Sequence, residues 1–328
     1  MTPSRRSLLA SAAAAVAGGA LPFPRAAHAQ DATGPLRILV GFPPGGATDV
    51  LARMLGDRLK DVLGQTVLVE NRPGAGGMIA TQALKGATPD GTTVMLTIDH
   101  THVIVPLTFK APGYDPARDF TPLAGVASYY NVLAVASSTG VKTMAEFGTW
   151  LKANPQQANF GVPAPGSVPQ FAGLLVGKAL GTRMTPVPYK GGAPLVQDLL
   201  GGQVPAAVLS LTETIEHHRA GKMRVLAVSG TKRASSAPEI PTYEEQGIKG
   251  LDKNPWTGFF GPRGLPPAFV DRFTKAVQTI LADPAMVARL ATMGNVADYA
   301  APAALQEWVT SATAHWGPVI RESGWELQ

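Results

Sequence analysis

Apolar and polar positions alternate between a period of two and a period near 3.6 along most of the chain. Leu36-Arg37-Ile38-Leu39-Val40 predicts a strand. It enters Gly41-Phe42-Pro43-Pro44-Gly45-Gly46-Ala47-Thr48-Asp49. Beyond it Val50, Leu51, Met54, Leu55, Leu59 and Val62 form the buried side of a helix that Thr48 or Asp49 can cap. A second strand is predicted over 66–70, followed by the loop Asn71 to Gly77 and a helix to about Lys85. A third strand runs over 92–98. Glycine loops at the ends of three βα units predict a doubly wound half with a parallel sheet.

A second series starts near Asn131. Strands are predicted over 132–136, 159–162, 187–189, 204–209 and 224–228, and helices over 144–152, up to Leu180 and up to Leu200. The chain then turns loop-like around Pro238, Pro241 and Asn254-Pro255. It ends with one strand over 256–260 and three helices near 266–282, 284–293 and 302–322. The helical tail must pack somewhere, and returning to the first half would make that half discontinuous. The expected division is lobe 1 over 30–126 and 230–328 and lobe 2 over 127–229. Crossovers are expected near Ala124–Ser128 and Arg224–Ser229, with a cleft between the lobes.

Composition narrows the function. Of 328 residues, 16% are charged and the formal net charge is +5. Arg5, Arg6 and Arg25 lie in an acid-free N-terminal stretch, and the rest carries 25 basic residues against 23 acidic. No basic face is clustered enough for nucleic acid. Arg5-Arg6, an apolar stretch from Leu8 to Leu21 and Ala27-His28-Ala29 have the layout of a cleaved export signal over residues 1–29. Ser4 to Leu9 fits both a twin-arginine and an ordinary secretory signal. Cysteine is absent, so there is no disulfide and no cysteine for a lipid anchor. A soluble periplasmic protein is expected.

Gly45 and Gly46 place backbone N–H groups just before a helix start, where unpaired donors and the helix dipole favour an anion. The same residues also serve a tight βα turn, and sequence alone leaves both readings open. Asn71 to Gly77 and Ala164 to Ser167 repeat the theme. Asp99-His100-Thr101-His102 offers a His-x-His pair which, on a strand, would share one face while Asp99 points away. No third histidine follows at ligand spacing, so neither a metal nor a cofactor is expected. His217 and His218 stand beside Arg219 at a helix end, which dipole pairing explains. There is no H-E-x-x-H, G-x-S-x-G or cysteine nucleophile, and an enzyme is not expected.

Phe42 to Asp49, with Ala52-Arg53 behind it, resembles the first signature of the Bug family, the periplasmic receptors of tripartite tricarboxylate transporters. The resemblance continues through Glu70 to Gly77, Pro89-Asp90-Gly91, Tyr114 to Phe120, Val187 to Pro194, Asp198 to Val204, Pro241-Thr242-Tyr243 and Trp308 to Gly324. It implies a two-lobed α/β periplasmic-binding-protein fold (type II-like). Such a monomer closes on a small carboxylated solute and passes it to membrane subunits. It also implies site residues: Phe42, Gly45, Gly46 and Asp49 in the first loop, Thr97 and Thr101 at the third strand's end, Gly161, Gly166 and Ser167 opposite, and Tyr189 at the next strand end.

The sequence departs from the family pattern at Asp99, at Pro205-Ala206 and at Ser210, with Glu213 just beyond. Asp99, together with Glu213, is a candidate for selecting an amine or amide beside the solute's carboxylate; the alternative is that both are solvated or paired. A ligand sensor for a membrane kinase and a periplasmic hydrolase built on Asp99, His100 and His102 are the rival functions.

Overall fold

The computed structural model describes residues 34–328; the expected export signal lies outside them. The chain begins with β1 (Leu36–Val40), α1 (Ala47–Leu63), β2 (Val67–Asn71), α2 (Met78–Lys85) and β3 (Thr93–Ile98). A π-helical turn over His100–Ile104 leads into the short α3 (Val105–Thr108). Then β4 (Phe120–Tyr129) is followed, after one residue, by β5 (Asn131–Ala136). Next come α4 (Met144–Ala153), β6 (Asn159–Val162), α5 (Val168–Ala179), β7 (Thr185–Pro188), α6 (Gly192–Leu200), β8 (Ala206–Ser210), α7 (Leu211–Arg219) and β9 (Met223–Val228). The chain closes with β10 (Trp256–Pro262), α8 (Pro267–Ala282), α9 (Pro284–Thr292), β11 (Asn295–Ala300) and α10 (Pro302–Glu322).

Two sheets result. The first has the order β11-β4-β10-β3-β1-β2, the second β7-β6-β8-β5-β9. The chain leaves the first sheet at Tyr130 and returns to it after 229–255. Neither sheet is the all-parallel one expected. β1 pairs parallel with β2 and β3, whereas β10 runs antiparallel to β3 and β4, and β5 antiparallel to β8 and β9. A strand that enters from the other sheet arrives at the opposite end, so its direction is reversed.

The apolar stripe of α1 explains its docking. Leu51, Leu55 and Leu59 are buried against the first sheet, each contributing ~1.5–3 kcal/mol, and Gly64 in the left-handed region ends the helix. Its N-cap is Gly46, with no side-chain cap, so the expected capping by Thr48 or Asp49 does not occur. α8 and α9 share that face, and α6 and α7 cover one face of the second sheet. The remaining faces belong to one apolar cluster that runs from Leu84 and Met95 through Trp316 and Ile320 on α10 to Phe147, Phe160 and Phe171. Gly173 lets α5 lie directly on the Phe160 ring, which a Cβ would strike.

Candidate ligand-binding site

The ends of β1, β2 and β3 carry three loops that touch in chain order. A Cβ on Gly41 would meet the Gly77 backbone, and one on Gly77 would meet Thr101. Thr101 donates its hydroxyl hydrogen to Gly76 O at 2.8 Å and accepts the Tyr114 hydroxyl on its carbonyl at 2.6 Å. Residues 74–77 all have positive φ, including Ala75 at 48°, a sparsely populated conformation for a residue with a Cβ.

Asp49 organises the first loop. Its carboxylate accepts from Gly45 N–H at 2.8 Å, Arg53 Nε at 3.0 Å and Asn71 Nδ2 at 2.9 Å. Gly46 N–H is also engaged, by Pro43 O at 3.2 Å. The two glycine amides offered to an anion by the sequence are thus bonded inside the loop. Val50 N–H is the first of the helix to reach an acceptor, Gly46 O at 2.9 Å, which leaves the amides of Ala47, Thr48 and Asp49 open at the helix start. Phe42 is half-buried against the apolar cluster under α1.

At the end of β3, Thr97 is fully buried and its hydroxyl lies 3.5 Å from His102 Nδ1. Asp99 accepts the His100 N–H at 2.9 Å. The two histidines do not share a strand face, because β3 ends at Ile98 and both lie on the π turn. His102 packs against the rings of Phe260, Phe120 and Tyr114, with a centroid distance of 4.2 Å to Phe260. Among the described residues no group of three His, Asp or Glu side chains could hold a metal ion.

The second sheet supplies a matching set. Gly161 lets Leu195 and Tyr189 close over β6. Gly166, with φ of 63°, donates its N–H to Gln170 Oε1 at 2.9 Å, and the Ser167 hydroxyl donates to Ala164 O at 2.7 Å while Ser167 serves as the N-cap residue of α5. The Tyr189 hydroxyl donates to Asp198 at 2.8 Å. Glu213 closes a capping box with Ser210 at the start of α7, and its carboxylate lies over Gly192.

Tyr129, absent from the sequence-derived set, lies within electrostatic reach of both Asp99 and Glu213. A cavity of about 250 Å³ opens beside Asp99, reaching Val168 at the head of α5 and Trp256, Trp308 and Trp316. No sequence signal links these tryptophans, which converge from two segments far apart in the chain.

A model of the tripartite tricarboxylate transporter family receptor matches residues 51–325. The chain belongs to this receptor family. It is 32% identical to Protein BugT of Bordetella pertussis over 295 residues, 90% of each chain. The structure of periplasmic binding protein BugD is similar at 33% identity and a TM-score of 0.76, covering 90% of this chain and 99% of that one. A protein of R. palustris with adipate is similar at 31% identity and a TM-score of 0.79, covering 89% and 98%. The two-sheet α/β architecture is therefore that of the periplasmic binding proteins, and the chain is a solute-binding receptor by family. No helix among the described residues is long and apolar enough to cross a membrane.

Electrostatics in this receptor site diverge between its carboxylates. The Arg53 guanidinium, helped by Gly45 and Asn71, outweighs burial and holds the Asp49 carboxyl down to about 2. Burial pushes the Asp99 carboxyl up to about 7, against the two backbone N–H groups that favour its charge. Burial holds His100 down to about 4 and His102 to about 3, so both rings are neutral at pH 7. Tyr129 is raised by burial first and then by the two facing carboxylates.

Proposed function

We propose that this chain is an exported periplasmic receptor that closes two lobes on a small carboxylate-bearing solute and delivers it to the membrane subunits of a tripartite transporter. The first lobe is built on the first sheet, expected over 30–126 with 230–328, and the second on the second sheet, expected over 127–229; the hinge lies at Tyr130, just past β4, and within 229–255. The observation that carries this reading is a cavity lined both by Asp99, just past β3 of the first sheet, and by Val168, at the head of α5 on the second. The solute therefore meets both lobes at once.

Its carboxylate takes hydrogen bonds from the open amides of Ala47 and Thr48, on a loop fixed by Gly45, Gly46 and Asp49. Thr97 and Thr101 back this wall; Gly161, Gly166, Ser167 and Tyr189 form the other. Hydrogen bonds to a charged acceptor contribute ~1.5–3 kcal/mol each, so three or four suffice for micromolar affinity, about −8 kcal/mol. The adipate held by the R. palustris relative supports this solute class. The receptor acts as a monomer and needs no cofactor.

Thermal melting against a panel of di- and tricarboxylates, amino acids and aromatic acids tests the proposal. A melting temperature that climbs with the concentration of at least one of them is the expected result. No response to any, in protein shown by mass spectrometry to carry no ligand, would refute it.

A further inference from the structure

The cavity beside Asp99 has a wall chemically unlike the loops assigned to a carboxylate. Trp256, Trp308 and Trp316 line it together with three carboxylates, Asp99, Asp252 and Asp298, against one ammonium, Lys253. The rings of Trp256 and Trp308 stand 6.2 Å apart at 45°, two sides of a corner. Asp99 is only 5% exposed. Among the described residues it receives backbone N–H groups, from His100 and its own residue, and no cationic side chain pairs with it. Trp256 Nε1 is buried without an acceptor.

Indole faces and a buried carboxylate both repel an anion and both attract a cation. A primary ammonium has three N–H groups to satisfy. An alkylated ammonium has fewer or none, and spreads its charge over methyl groups that pack on aromatic faces. The volume lies just below the ~300–1,000 Å³ of drug-sized ligand sites, as a small ligand requires. Asp99 stands between Thr97 and Thr101, and Val168 follows Gly166-Ser167, so the cavity borders residues of both walls of the proposed carboxylate site.

We infer that this cavity receives the methylated ammonium end of a small zwitterion, whose carboxylate is held by the neighbouring loops. This assignment rests on the receptor reading above and narrows its solute to the betaine class.

Calorimetric titration of the purified protein with glycine betaine and γ-butyrobetaine tests this, beside 3,3-dimethylbutyrate, in which carbon replaces the charged nitrogen of glycine betaine, and beside succinate and adipate. The expected result is that a betaine binds at least about tenfold more tightly than its uncharged isostere or either dicarboxylate. Trp308→Leu should weaken betaine binding by at least about tenfold, and Asp298→Asn, on the half-buried rim, should weaken it in a protein whose packing is unchanged. Equal affinity for betaine and isostere, or binding of dicarboxylates alone, overturns the inference while the receptor reading stands. Failure of every carboxylate to bind overturns both.

Discussion

Asp49→Asn removes the charge from the side chain that ties the first glycine loop together. The carboxylate is buried, and Arg53, Gly45 and Asn71 hold its pKa at about 2 against an ordinary 3.8. A group with a depressed folded pKa stabilises the protein above its unfolded pKa, and that stability is lost as pH falls through the folded value. The gap corresponds to ~2.5 kcal/mol at pH 7, of which ~1.3 kcal/mol remains at pH 3. Arg53 is half exposed, so solvent screening trims its share. Asparagine retains an acceptor for Gly45 N–H but turns N–H groups toward either Arg53 or Asn71, so a loss of about 2–3 kcal/mol at pH 7 is expected. Urea unfolding of both proteins at pH 7 and pH 3 measures it. The gap should shrink by ~1 kcal/mol at the lower pH. A gap that does not change with pH, or one well below 1 kcal/mol at pH 7, would refute the view that charge staples this loop.

Asp99 carries the opposite sign. With its folded pKa raised to about 7 from 3.8, its stability contribution is present below pH 3.8 and lost as pH rises through 7. Asp99→Asn should therefore gain on the wild type by roughly 2–3 kcal/mol between pH 5 and pH 8 in urea unfolding, and no gain would mean the carboxylate keeps its water. Gly173→Ala should cost ~1–3 kcal/mol despite alanine's better helix propensity, because its Cβ meets Phe160; a rise in melting temperature would show that the ring yields freely. Trp325→Ala removes a ring packed on Phe171 and Gly166, and an N–H donated to Thr108 O at 3.2 Å. It should lower stability by ~2–4 kcal/mol in urea unfolding, and an unaffected midpoint would mean the tail packs loosely.

The elements nearest the N-terminus of the described chain were legible because their signals are local. β1, α1, β2, α2 and β3 lie within about two residues of the ranges read from periodicity. β11 was not, since Asn295-Val296-Ala297-Asp298-Tyr299-Ala300 sits at a sheet edge where burial follows no clean alternation. The reversed direction of β10 between β3 and β4 was illegible for another reason. It depends on pairings such as Phe259 with Leu96 and Ala124, far apart in sequence. At the site, glycines marked the right loops but not the state of their amides, because Asp49 as acceptor for Gly45 is a tertiary fact. The His100–His102 geometry failed because no residue in that segment announces a π turn.

The helix that closes the chain links these observations. Trp308 and Trp316 of α10 line the cavity beside Asp99, and the segment after α10 places Trp325 on Phe171 of α5, a helix of the second sheet. Lys178 of α5 also pairs with Glu322 at 2.8 Å. The same tail is fixed to the first sheet's side through Thr108, whose carbonyl accepts from Trp325 Nε1 and from Gln328 N–H, and through Lys110, which donates to Gln328 O. On the closure proposed above, a separation of the two sheets must either pivot at these contacts or break them. A ligand in the cavity would touch Trp308 and Trp316 of that same helix, so the proposed binding and the proposed closure would share one element.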